Sequence, residues 1–165
     1  MEKDYPYGIC GVYCGQCASG NHRIRIIASE LKRLVDLYRF EWLEQVPQGF
    51  SFKEFRKGLE WFAASNCTGC KAGGGPPTCE ARKCAKEKGL QSCLLCSDFL
   101  TCPKTKYHRE TYPQTVEGYK RVKEVGFEKW LEEQEMKAMA GFDLCDHLQE
   151  KCLKTVNPEQ TSKEL

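Results

Sequence analysis

The sequence predicts a mainly α protein, a small helical domain packed around an irregular cysteine-rich region that binds metal. Three observations predict it. Apolar residues recur at steps of three and four in several segments, no β-branched run alternates long enough for a strand, and seven cysteines crowd residues 66–103 around a GGGPP loop. At 165 residues the chain is long enough to bury a core of its own, so it is expected to form one domain over 1–153 with a polar tail over 154–165.

The elements follow in order. Residues 9–20, ICGVYCGQCASG, set Cys10, Cys14 and Cys17 at C-x3-C-x2-C. From His22 to Val46 the residues Ile27, Leu31, Leu34, Tyr38 and Trp42 share one helical face with Glu, Lys and Arg between them. A second helix is expected from Ser51 to Ala64. Ser51 and Glu54 form its capping box, and Phe52, Phe55, Leu59 and Phe62 form its inner face. Pro47 and Gly49 separate the two. Within 66–103 the one helical candidate is EARKCAKEKG, ended by Gly89. Helical spacing returns over Gln114 to Met139, with Val116, Tyr119 and Val122 on one face and Phe127, Trp130 and Leu131 on the next. Gly126 breaks or kinks that segment. A last short helix is expected from Asp143 to Leu153. Trp42, Trp61 and Trp130 are expected in the core, and the helix charges on solvated faces.

Composition narrows the function. With 25 basic and 23 acidic residues the net charge is +2, and the basic residues are scattered, so nothing supports nucleic-acid binding. No apolar run is long enough to cross a membrane and the start lacks the apolar core of a secretion signal, so a cytoplasmic protein is expected. In such a reducing setting, closely spaced cysteines favour metal over disulfides.

There are 12 cysteines. Cys14/Cys17, Cys67/Cys70 and Cys93/Cys96 are C-x2-C pairs, and Cys10, Cys79, Cys84 and Cys102 stand singly. A two-residue gap lets both sulfurs turn toward one ion. These ten are the candidate metal ligands. Cys67, Cys70, Cys93 and Cys96 would close one tetrahedral site, and Cys10, Cys14 and Cys17 another with a fourth ligand from Cys79, Cys84 or Cys102; exchanged partners are equally open.

Zinc, as two ions, is the first expectation: closed four-thiolate sites would stabilise the fold and present a surface to a protein partner. A four-iron four-sulfur cluster for electron transfer or redox sensing is the alternative. A third is a thiol oxidoreductase using Cys93/Cys96 as its dithiol. His22 and His108 stand near the cysteine groups as lesser candidates. Cys145 and Cys152 are read as small buried hydrophobes, Asp143 and His147 as an ion pair or core-edge pair, and Gly73 to Pro77 as a mobile or turn-forming connection, since no lysine followed by Ser or Thr completes a phosphate loop. No residue set argues for hydrolysis, and the balance leans away from an enzyme.

The opening C-G-V-Y-C-G-Q-C, then C-T-G-C-K with GGGPP, the stretch C-E-A-R-K-C-A-K-E-K-G-L-Q-S-C-L-L-C-S-D-F, Cys102-Pro103 and K-E-V-G-F-E-K-W-L-E-E-Q-E resemble an uncharacterised cysteine-rich prokaryotic family, domain of unknown function three-seven-nine-five. The resemblance covers Tyr7 to Met136 and implies a small metal-binding domain, met mainly in anaerobes, with no established activity. Longer relatives carry a further cysteine knuckle that Met136 to Leu148 lacks. The C-x3-C-x2-C spacing is also that of radical S-adenosylmethionine enzymes. Those place an aromatic residue before the third cysteine and continue into alternating β and α units; Gln16 stands there instead, and no such units follow.

Overall fold

The computed structural model describes residues 6–46 and 49–146, and they are mainly helical. Among the described residues the only β pairing is an isolated bridge between Tyr7 and Tyr13. Most of the expected last helix, with His147, Leu148 and Cys152, lies outside the described residues, as do Pro47 and the tail 154–165. The chain forms two compact units, Ala18–Cys67 and a larger one built from Met1–Cys17 with Thr68–Leu165.

The smaller unit is a helical hairpin. Helix α1 spans Arg23–Leu37, and a 3-10 stretch over Phe40–Gln45 leads toward α2, Phe52–Ala64. Ser51 accepts a hydrogen bond from the Glu54 backbone N–H at 3.2 Å, so the expected cap forms. The seam between α1 and α2 buries Ala28, Val35, Phe52 and Leu59. Arg56 ties it at the side, donating to Asp36 and to Glu41, each at 2.7 Å.

This seam corrects the sequence reading. The expected inner face of α1 is largely exposed at Ile27, Leu31, Leu34, Tyr38 and Trp42, and on α2 Phe55 and Phe62 are exposed as well. Two helices meet along one line, and small Ala28 lets them approach there, so an apolar arc wider than the line stays outside. Trp42 at 52 % and Trp61 at 68 % exposure are not core residues, whereas Trp130 at 2 % is.

The larger unit is organised around Leu94 and Phe99, both fully buried, with Tyr7, Ile9, Tyr13, Val122, Phe127 and Trp130 around them. Helix α3, Glu80–Glu87, ends as expected before Gly89, whose φ of 64° lets Leu90 N–H reach back to the Ala85 carbonyl at 2.8 Å. A short helix α4, Lys106–Thr111, has no counterpart in the sequence reading. Helices α5, Gln114–Val125, and α6, Phe127–Met139, are separated by Gly126 at φ 87°, the expected break. Across that joint, the Trp130 indole nitrogen would stand 3.1 Å from a Cβ at position 118, so Gly118 is what admits the ring.

The N-terminal segment docks onto this core through its backbone. Ile9 carbonyl accepts from Cys93 N–H at 2.7 Å and from the Ser92 hydroxyl at 3.2 Å. Tyr7 and Phe127 meet edge to face at 5.1 Å. The Gln16 side-chain amide, buried where the radical enzymes carry an aromatic residue, donates to the Gln134 carbonyl of α6 at 3.0 Å.

Candidate metal centre

Four of the ten candidate ligands line one cavity of about 40 Å³ in the larger unit: Cys84, Cys93, Cys96 and Cys102. They arrive on three local devices. Cys84 rides on α3, facing the cavity beside Ala81 and Ala85, two residues small enough to let the cysteine turns approach. Cys93 opens a 3-10 turn capped by Ser92, whose hydroxyl accepts from Leu94 N–H at 3.2 Å, and Cys96 closes that turn by donating to the Cys93 carbonyl at 3.0 Å. Cys102 is set by its own N–H on the Asp98 carbonyl at 2.8 Å and is followed by Pro103, which starts the next turn.

The Cys102 turn is also held from the side. Arg109 of α4 donates to the carbonyls of Phe99 at 2.7 Å and Cys102 at 2.9 Å and to the Thr105 hydroxyl. An equivalent device holds the loop after Cys70: Arg82 of α3 donates to the carbonyls of Cys70, Gly74 and Pro76 at 2.9, 3.2 and 2.7 Å. The GGGPP connection is therefore a fixed turn. The assignment of the helix charges to solvated faces fails for these two arginines, because acceptor carbonyls in irregular loops carry no sequence signature.

Burial and mutual repulsion shape the thiols. Cys93 is pushed from 9.0 up to about 12, first by burial and then by the charges that Cys96, Cys102, Cys84 and Cys79 would carry. Cys10 is likewise raised to about 12 by burial, against a favourable Val12 backbone contact, with Cys70, Cys93 and Cys79 adding repulsion. The Lys88 ammonium stands 4.0 Å from the Cys96 sulfur and 3.6 Å from Asp98, and the sulfurs of Cys96 and Cys84 hold its pKa above the usual lysine value.

Of the pairings left open by sequence, the cavity is lined by Cys93/Cys96 with Cys84 and Cys102, and Gly8 lies against the sulfurs of both Cys10 and Cys70. Cys14 is buried beside Tyr13 in the N-terminal turn, Cys17 ends that turn, and Cys67 is the last residue of the smaller unit. His22 caps α1 with φ 68° in the smaller unit, and His108 lies on α4, where burial lowers its pKa; it does not line the cavity. Cys145 is half-buried, its N–H donating to Asp143 at 2.8 Å. None of the 11 described cysteines is in a disulfide. Among the described residues no three His, Cys, Asp or Glu side chains make a group that could hold one metal ion. No described helix is long and apolar enough to cross a membrane.

No curated protein and no solved structure matches the chain. A family model does, over residues 6–107, which span the N-terminal cysteines, the Arg82 loop and all four cavity thiols. By that match the chain belongs to the family described as protein of unknown function (DUF3795).

Proposed function

We propose that the larger unit is a metal-binding module whose centre is held by Cys84, Cys93, Cys96 and Cys102, and that the centre is a four-iron four-sulfur cluster used for electron transfer or redox sensing. The observation that carries this reading is the cavity itself, lined by four thiols on turns braced from outside. A single zinc would gather its sulfurs at about 2.3 Å from one point. A cluster spreads its ligands around a cube of iron and sulfide, and thiols that line a cavity, as these four do, suit that larger body.

When bound, the cluster would take up and release one electron. The chain's own residues would do the rest. Phe99 and Leu90 keep water from one side of the thiols, Lys88 offsets part of the negative charge at Cys96, and Arg109 holds the Cys102 turn in place. The exposed apolar arc of α1 and α2 supports the partner-binding side of the reading.

Structural zinc is the second reading, favoured by a donor set made only of thiolates, which zinc accepts equally well. Elemental analysis and an absorption spectrum on protein purified without oxygen test the two. Iron with acid-labile sulfide and a brown colour is expected, lost in Cys102→Ser; a colourless protein with zinc and no sulfide overturns the cluster.

A further inference from the structure

The apolar residues that the α1/α2 seam leaves outside are not scattered. At about 3.6 residues per turn, Ile27, Leu31, Leu34 and Tyr38 fall together on one flank of Ala28 and Val35, and Lys32 and Asp36 fall on the other. On α2, Phe55 and Phe62 share one flank of Phe52 and Leu59, with Arg56 on the other. Asp36 near the end of α1 meets Arg56 in the first half of α2, so the helices run antiparallel and the two polar flanks share one side of the hairpin. The apolar flanks therefore share the opposite side as one exposed face. Phe50 extends it, meeting Phe55 edge to face at 6.2 Å.

Gly58 lies on that face, between the turns of Phe55 and Phe62. A Cβ there would meet nothing within 4 Å among the described residues, and its φ is not positive. Neither packing nor backbone within the hairpin calls for a glycine, which weakens a helix interior. A helix approaching closely from outside does. Size and charge select that helix. At roughly 150–250 Å² per large side chain and about half of each in water, the face exposes on the order of 700 Å² of apolar surface, near the ~800 Å² per partner of a standard stable interface. Its outer edges are neutral in themselves: Glu30 pairs with Arg33 and Glu54 with Lys57, each at 2.7 Å. An acidic or basic partner would find no opposite charge to meet, whereas an identical copy, which brings the same charge by necessity, meets no repulsion.

We propose that this face binds a second copy of the chain, the two hairpins stacking across a two-fold axis as a four-helix bundle with a helix of the second copy lying over Gly58. The proposal rests on the partner-binding side of the reading above and is independent of which metal the larger unit holds.

Analytical ultracentrifugation of the full chain, purified without oxygen and analysed for iron, zinc and sulfide in parallel, tests it. Twice the 18.9 kDa chain mass is expected. Leu34→Lys should raise the dissociation constant by about 30-fold or more, as at a central interface residue. Gly58→Leu should weaken the pair as well while circular dichroism shows undiminished helix, since the chain itself has room for the new side chain, and this guards against mere loss of fold. Ile26→Lys, exposed on α1 but turned away from the face, should leave the pair intact. A pair that all three variants leave intact overturns the proposal. So do single chains up to about 1 mM protein, where even a Kd of that size would show. Single chains that sediment with phosphatidylcholine vesicles give the face to a lipid surface, and single chains that do not give it to a different protein. A pair holding zinc without sulfide upholds this proposal and overturns the cluster alone.

Discussion

Arg109 and Cys102 are joined by a hydrogen bond of 2.9 Å from guanidinium to carbonyl, and the same guanidinium nitrogen also serves Phe99 and Thr105. One side chain thus satisfies several acceptors that the irregular Cys102 turn leaves outside any helix. Arg109→Ala removes the charged donor and leaves the Phe99 and Cys102 carbonyls to Thr105 alone, whose hydroxyl and N–H also donate to them, at a cost of about 1–3 kcal/mol. We expect the variant to fold with a urea midpoint clearly below wild type and to lose bound metal faster to a chelator; an unchanged midpoint would remove Arg109 from the bracing of the turn.

Leu94 gives a second prediction. It is fully buried, and a Cβ on Gly11, at φ 95°, would come within 2.7 Å of its side chain. Gly11→Ala therefore meets both a strained backbone and an occupied space, and should destabilise by about 2–4 kcal/mol, while Leu94→Ala alone should cost about 2–5 kcal/mol through its cavity. In the double variant the freed volume accepts the new methyl group, so the combined loss measured in urea should be smaller than the two losses added.

The two kinds of tryptophan separate cleanly. Trp130→Ala should cost about 3–5 kcal/mol, because the ring fills the α5/α6 joint over Gly118. Trp61→Ala should change stability by less than about 0.5 kcal/mol, since the side chain stands mostly in solvent. Thermal unfolding of the two variants followed by circular dichroism checks the contrast.

Cys10 and Cys93 predict how the metal-free chain responds to alkali. Each thiol is raised from 9.0 to about 12 in the fold, so between those values the unfolded chain has released protons that the folded chain still holds. The stability they contribute is present below pH 9 and is lost as pH rises toward 12. Urea midpoints of the metal-free protein should fall from pH 8 to pH 10. A midpoint that rose over that interval would contradict the burial of these thiols in the folded chain.

The parts legible in sequence were those governed by local rules. Ser51 capped α2, Gly89 ended α3 and Gly126 divided α5 from α6, because each depends on a residue and its near neighbours. The apolar period located α1 and α2 but misjudged their burial: periodicity names the apolar side of a helix, while the width of the seam depends on what packs there, and here that was one line through Ala28, Val35, Phe52 and Leu59. The cysteines announced themselves as a set. Their grouping did not, since whether Cys93 meets Cys70 or Cys84 is decided by how α3 and the Ile9 strip stack, contacts separated by up to 84 positions. Arg82 and Arg109 looked like any helix-surface arginine, and only the irregular loops beside them revealed a different use.

The arginine braces have one more consequence, in which ions the chain refuses. Calcium and magnesium bind through oxygen, and in loops rich in glycine and proline the backbone carbonyls are the oxygens on offer. Around Cys70 and Cys102 those of Cys70, Gly74, Pro76, Phe99 and Cys102 are already engaged by guanidinium groups. With those carbonyls occupied, the loops offer hard cations fewer oxygens while still presenting thiolate, and this tilts them toward softer metals.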